Sequence, residues 1–455
     1  MSQHPRARWF AAGLFTVLLF TPAVHALAAP APQDSIRRDA WTLANGLRVV
    51  TLDVSGARGV AITVVYPGGR DQDPRGNEGL AMLLGEVQFT AAAGVVPERS
   101  REELGSLRPL GYDLQVSRRY TALTEIATPE QFPGVLDQIA TRMRGVTPTP
   151  AVLASAIENT RRQLNGQLLG DVAQGLYYEV RELAGRADTA AFRRLATGRG
   201  IERLTLTDLA PRLAERFAPS GAVLCVTGSL SAWPMRALVE KEFGPLPATA
   251  PAPAPAGLPF GPGAGIEPRG DIDEPVGVVG ALAPALADSL HPSFYLALLV
   301  LGAQANEIWG RPAPPLTSRF QYALFDDPDL VRFYPPVDST VSNPAAMGKT
   351  FAEGMMQFGR AIAENEALNP LRLGVSWLLG GQAPPALLHR IRTESGALRT
   401  LAWSTAVREL WGGEPFWSVY RARFEHIDTA ATGYWGAQLA RQELQVRLLY
   451  MPARR

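Results

Sequence analysis

Thiols, lysines and histidines are almost missing from this sequence, and each shortage closes off a class of function. A single cysteine, Cys225, rules out an intramolecular disulfide, so hydrophobic cores must hold the fold. It sits in the apolar run Ala222-Val223-Leu224-Cys225-Val226, where a buried small hydrophobe is expected rather than a reactive thiol. Lys241 and Lys349 are the only lysines, and the formal net charge is +1 with acids and bases interspersed. The basic face of a nucleic-acid binder is absent, so no nucleic-acid partner is expected. Beyond the first 28 residues the histidines are His291, His389 and His426, none with another His or Cys at ligand spacing. Capping or surface roles are expected for them, not metal binding. Long apolar runs are missing too. Trp9–Phe20 falls short of the roughly 20 residues that span a bilayer, and Phe294–Ala303 suits a core helix, so no membrane span is expected.

What is present begins with export. Arg6 and Arg8 precede that short apolar run, and the small-residue stretch Val24-His25-Ala26-Leu27-Ala28-Ala29 follows. A basic start, a short apolar middle and a small-residue exit describe a signal peptide over residues 1–28, and hence an exported, periplasmic chain. Farther on, Pro245–Pro268 (PLPATAPAPAPAGLPFGPGAGIEP) alternates Pro and Ala and cannot continue a helix. A semi-rigid linker is placed at 248–264, dividing the chain into domains at 33–247 and 265–455. Each half interleaves segments of period 2 and period 3.6, which predicts an α+β fold of helices packed on a sheet. In the first half, Trp41–Val50 reads as a hairpin around Asn45-Gly46. Val60–Tyr66 and Tyr120–Ala127 read as strands, with helices from Gly79, at Pro133–Met143 and at Pro150–Leu169. In the second half, Val276–Leu282 and Gln445–Tyr450 read as strands, and Ser293–Ile308, Pro344–Glu364 and Pro385–Arg392 as helices.

The order of these motifs resembles the insulinase-like (pitrilysin, processing-peptidase) zinc metallopeptidases over nearly the whole mature chain. Leu43-Ala44-Asn45-Gly46-Leu47-Arg48-Val49 is similar to that family's opening hairpin. Val64-Val65-Tyr66-Pro67-Gly68-Gly69-Arg70-Asp71, followed by Gly79-Leu80-Ala81, is similar to its entry into the zinc helix. Leu224-Cys225-Val226-Thr227-Gly228 with Phe243-Gly244-Pro245-Leu246-Pro247 resembles the segment closing each domain. The resemblance implies two similar domains, each a mixed β-sheet with helices packed on it, the LuxS/processing-peptidase-like metallohydrolase fold. It also implies a clamp in which peptides are cleaved by zinc.

That family's zinc helix carries H-x-x-E-H, because residues four apart share a helix face and two imidazoles can hold one ion while the Glu activates its water. By the resemblance, Met82, Gly85 and Glu86 occupy those places here, and Gln163 occupies that of the later acidic ligand. A thioether is a poor zinc ligand, glycine is no base, and a lone carboxylate makes no closed site. The expectation is a degenerate member with no metal, no cofactor and no catalytic residue of its own. The family's substrate-holding Arg and Tyr align with Phe325 and Arg332, leaving Arg319, Arg332 and Tyr334 as candidate substitutes for holding peptide. Elsewhere, Gly374-Val375-Ser376-Trp377-Leu378 lacks the second glycine of a nucleophile elbow. The pairs Glu102-Glu103 and Asp326-Asp327 read as solvated faces. A non-catalytic subunit paired with an active zinc-bearing homologue is the leading expectation. A binding or scaffold module of another exported assembly is the alternative.

Overall fold

In the computed structural model the described residues are 36–168, 172–185, 194–248, 260–312, 316, 318–325, 329–338, 340–341, 343–363, 375–427 and 429–453. The segment 1–28 expected to be a signal peptide, most of the expected linker, Gly374 and the Asp326-Asp327 pair lie outside them.

The chain opens with a hairpin, β1 (Arg37–Thr42) against β2 (Arg48–Asp53). Gly46 takes a φ of 87° in its turn, a backbone region that glycine enters without steric cost. Asn45 does a second task there. Its side-chain amide donates to the carbonyls of Phe243 at 2.7 Å and Leu246 at 3.2 Å, pinning the end of the first half to its beginning. Strand β3 (Val60–Pro67) leads to α1 (Leu80–Thr90), and α2 (Arg101–Leu107) starts from a reciprocal Ser100–Glu103 cap. There follow β4 (Tyr112–Val116), β5 (Tyr120–Ala127), α3 (Phe132–Arg144), α4 (Pro150–Leu168), α5 (Val172–Ala184), α6 (Leu206–Arg216), β6 (Val223–Gly228) and α7 (Met235–Phe243). The second half runs β7 (Gly263–Arg269), β8 (Val276–Leu282), α8 (His291–Trp309), β9 (Phe320–Gln321), β10 (Leu330–Phe333), α9 (Pro344–Ala363), α10 (Pro385–Thr393), α11 (Ser395–Leu410), α12 (Gly413–Glu425), α13 (Thr429–Leu439) and β11 (Gln445–Pro452).

Among the described residues two mixed sheets result, of six strands in the order β1-β2-β6-β3-β5-β4 and of five in the order β7-β11-β8-β10-β9. Apart from the extra β1, the pairing directions match strand for strand. A parallel pair (β2 with β6, β7 with β11) is followed by antiparallel neighbours in both. The fold is α+β with a repeated sheet topology, as the interleaved periods predicted. The Gly263–Pro268 end of the Pro-rich segment is extended, but it is a strand rather than free linker. It runs parallel to β11 at the sheet edge, where Pro268 has no outer neighbour to donate to.

Each sheet is covered on one face by helices of its own half and on the other by a helix of the opposite half. On the first sheet, Val49, Val60, Ile62, Val64 and Tyr66 pack toward α1, α3, α6 and α7. The alternate residues Val50, Ala61, Val65 and Cys225 meet α11, which belongs to the second half. Reciprocally, Val278, Val446 and Leu448 of the second sheet pack on α5, which belongs to the first half. Burial on both faces explains why β3 reads VAITVVY without polar alternation.

Charge reinforces this interlock. Arg118, in the β4–β5 turn, is fully buried and donates to Asp71 at 2.8 Å and to Asp329, ahead of β10, at 2.5 Å. Arg181 of α5 reaches the same Asp71 at 2.8 Å. Burial alone would raise the Asp71 carboxyl, yet the Arg181 and Arg118 guanidiniums hold it below its ordinary value of 3.8.

Candidate functional site

The positions singled out by the sequence resemblance, Met82, Gly85 and Glu86, lie on helix α1. Its start is fixed from a distance by Asp73, whose carboxylate accepts from the amides of Gly79 at 2.9 Å and Ala81 at 2.8 Å. Gly79, at φ 98°, turns the chain into the helix. All eleven residues of α1 are buried, so the positions facing α4 and β4 have no free space to hold a substrate.

Met82 projects into an apolar nest of Leu164, Leu168, Tyr178 and Ala196 from α4, α5 and the following segment. Gly85 lies flush against β4. A Cβ placed there would stand 3.0 Å from Leu114 Cδ1 and 3.3 Å from Val116 Cγ2, closer than side chains ordinarily pack. Glu86 is buried, and its carboxylate is engaged by a guanidinium. Arg101 Nε lies 3.0 Å from each Glu86 oxygen, and the Arg101 terminal nitrogen adds a further bond. Burial opposes the charge on Arg101, but the Glu86 bond and charge raise its pKa above the ordinary value. The guanidinium also stands 5.2 Å from the Phe89 ring centre and 5.7 Å from that of Tyr112.

The residue of α4 that reaches Glu86 is Asn159, whose amide lies 3.4 Å from Glu86 Oε1. Gln163, one turn further along α4, is exposed. Glu158 is exposed as well and pairs with Arg162 at 3.3 Å. These groups do not fit a zinc ion. One thioether faces hydrocarbon, one position has no side chain, and the only carboxylate is neutralised by an arginine whose positive charge would repel the metal. Among the described residues no three His, Cys, Asp or Glu side chains gather as a metal-binding set.

The three residues proposed from sequence to hold peptide are buried and have other partners. Arg319 donates to the carbonyls of Trp309 at 3.1 Å, Gly310 at 3.1 Å, Arg311 at 2.9 Å and Tyr334 at 3.0 Å. It is a cap on the C-terminal end of α8, where a cation meets the negative end of the helix. Tyr334 is fully buried, its one hydroxyl hydrogen within reach of two acceptors, Gln321 Oε1 at 2.9 Å and the Ala173 carbonyl of α5 at 3.3 Å. Arg332 sits 3.8 Å from Asp329 within the buried ion network. Phe325 packs edge-on against Trp403 and Trp417. None of the four presents a surface to a peptide.

His291 departs from the surface or capping role expected of it. It opens α8 but is buried, with its two ring nitrogens each 2.7 Å from a tyrosine hydroxyl, of Tyr420 and Tyr322. Burial pushes its pKa down to about 3, so the ring is neutral at ordinary pH. His389 and His426 are exposed, and His426 bonds the Ala422 carbonyl at the end of α12. Ser376 bonds the Glu425 carboxylate at 2.9 Å rather than a histidine. No helix among the described residues is long and apolar enough to cross a membrane.

Sequence reasoning did not find Arg101, Asn159 or the Arg118–Asp71–Asp329 network. The Ser100-x-x-Glu103 cap was readable and places Arg101 in the first turn of α2. Its partner fifteen residues back was not, because only packing brings α2 over α1.

No family model and no curated protein sequence matches the chain. Solved structures do. A protease from Helicobacter pylori superposes with a TM-score of 0.73 at 13% identity, covering 92% of this chain and 100% of that one. The peptidase M16 inactive domain from Pseudomonas fluorescens superposes at 0.63 and 13% identity, over 92% and 99% of the two chains. The periplasmic protease PqqL from Escherichia coli superposes at 0.61 and 14% identity, over 93% of this chain and 48% of PqqL. The chain thus has the fold of M16-like peptidases and spans about half the length of PqqL.

Proposed function

We propose that the chain is a non-catalytic, peptidase-like subunit that is exported to the periplasm and pairs with a zinc-bearing homologue. The observation that carries this is the Glu86–Arg101 ion pair on α1, beside a Gly85 with β4 packed against it. An internal cation stands where a catalytic metal would need vacant ligands. A second observation points to the partner. The two sheets exchange helices α5 and α11 and share a buried ion network, so they cannot swing apart as the jaws of a clamp. Any opening has to occur between this chain and a second body, and the length of PqqL, about twice the matched region, is consistent with one. The division into domains at 33–247 and 265–455, with a linker at 248–264 and a signal peptide at 1–28, belongs to the same proposal.

The burial of Arg319, Arg332 and Tyr334 favours a second reading. With no peptide-holding pair exposed, the chain would serve as a scaffold in another exported assembly. One experiment separates the two. Co-expression with an exported homologue carrying intact H-x-x-E-H should give a stable hetero-oligomer on gel filtration, with peptidase activity exceeding that of the homologue alone. Recovery of this chain with non-peptidase partners only, and no effect on the homologue, would sink the first reading. Tightly held zinc with hydrolysis by the isolated chain would sink both.

A further inference from the structure

His291 joins three elements of the second half through one buried ring. It is the first residue of α8, has no exposed surface, and lies among the rings of Phe294, Tyr295, Tyr322 and Tyr420, whose centres are 5.7 to 6.5 Å away. Its Nδ1 stands 2.7 Å from the Tyr420 hydroxyl of α12, and its Nε2 2.7 Å from the Tyr322 hydroxyl just after β9. A neutral imidazole offers one N–H and one lone pair, so one tyrosine accepts from the ring while the other donates to it. An imidazolium offers two N–H groups and no lone pair, and the donating tyrosine would have to turn its hydrogen away. The new charge would also stand at the positive end of α8. The titratable groups that face the ring are Tyr295 from α8, Tyr322, Tyr420 from α12, and Asp288 in the turn ahead of α8. The Asp288 carboxylate accepts from the Leu290 amide at 2.9 Å, and among the described residues no carboxylate bonds the ring. From α13 the neighbour is uncharged: Trp435 packs on Phe294 and donates to Ser293 at 2.9 Å.

Tyr322 is only partly buried, which puts the outer end of this tyrosine–histidine–tyrosine chain at the surface. Its inner end leads to the other half of the molecule. Trp417, one turn before Tyr420 on α12, donates its indole N–H to the Arg408 carbonyl of α11 at 2.9 Å, and α11 covers a face of the first sheet. We propose that His291 is an acid-sensitive lock: uptake of a proton by this ring breaks the Tyr322–His291–Tyr420 chain, frees the start of α8 from α12 and loosens α11 on the first sheet. Burial, opposed in part by Asp288, lowers the pKa of the ring from 6.5 to about 3. The stability that depends on the neutral ring is therefore complete above the unfolded value of 6.5 and is lost as pH falls from there towards 3, because the unfolded chain takes the proton that the folded one refuses. The inference is independent of the peptidase-like reading.

The test compares the full chain with His291→Gln, whose side chain keeps a donor and an acceptor but takes no proton, by urea denaturation between about pH 7.5 and about pH 5. Whatever the substitution costs at neutral pH, the ratio of parent to variant unfolding constants should be flat above about pH 6.5 and rise about tenfold for each pH unit below it. A ratio that does not change with pH overturns the proposal. Hydrogen exchange on the parent chain alone, corrected for the intrinsic pH dependence of exchange, decides the matter even if the variant fails to fold. At about pH 5 the start of α8, α12 and α11 should lose protection while β3 and β5 keep theirs. Protection unchanged at α8 and α12, or lost from every element together, overturns the proposal as well.

Discussion

Glu86 and Arg101 show how a buried helix accommodates a charged residue. A carboxylate on a buried helix has to find a partner, because an isolated buried charge is far more costly than a paired one. Here the partner is a guanidinium that is itself flanked by two aromatic rings and left about a quarter exposed at 24%. The pair satisfies the buried carboxylate within the chain itself. Glu86→Ala should cost about 2 kcal/mol, less than a fully buried pair would, because water partly screens Arg101. In a double-mutant cycle with Arg101→Ala, urea denaturation should report a coupling of about 1–2 kcal/mol. Strictly additive losses would show that the two side chains act separately.

At the level of elements, Asp71 joins the turn before α1 to α5 and, through Arg118, to the start of β10. Its carboxyl is held below the unfolded value of 3.8, so the native state favours its ionised form. That contribution is fully present above the unfolded pKa and is lost as pH falls through the lower folded pKa. Asp71→Asn should therefore lose about 2–4 kcal/mol at neutral pH, where Arg118 would be left with a buried charge incompletely matched. As pH falls through the lowered folded pKa, the variant and the parent should converge in stability, since both then lack the charge. A constant gap across the acid range, measured by chemical denaturation at each pH, would place the cost in packing rather than in ionisation.

Over the whole molecule, the reciprocal donation of α5 and α11 makes each sheet depend on the other half of the chain. Expressed separately, 36–248 should expose the sheet face containing Val50, Ala61, Val65 and Cys225. It should bind a hydrophobic dye and melt without cooperativity, as loosely packed states do. Mixing it with 260–453 should restore one cooperative transition. A cooperative melt from either piece alone would show that the exchanged helices are dispensable.

The sequence by itself determined the strands and helices with strong local period, down to the identical limits of Tyr120–Ala127 and Val276–Leu282. It also determined the turn at Asn45-Gly46 and the absence of imidazoles from α1, because side-chain alternation, glycine geometry and ligand chemistry are local properties. Helices α11, α12 and α13, with weak or crowded periodicity, were not legible in it. The pairing of Glu86 with Arg101 and Asn159, the burial of His291 between two tyrosines, and the capping role of Arg319 were decided only by tertiary structure. So was the exchange of helices between the sheets. Each joins side chains or surfaces that meet only after the sheets and helices have packed, and a charge or hydroxyl takes its role from the partner packing supplies, not from its neighbours along the chain.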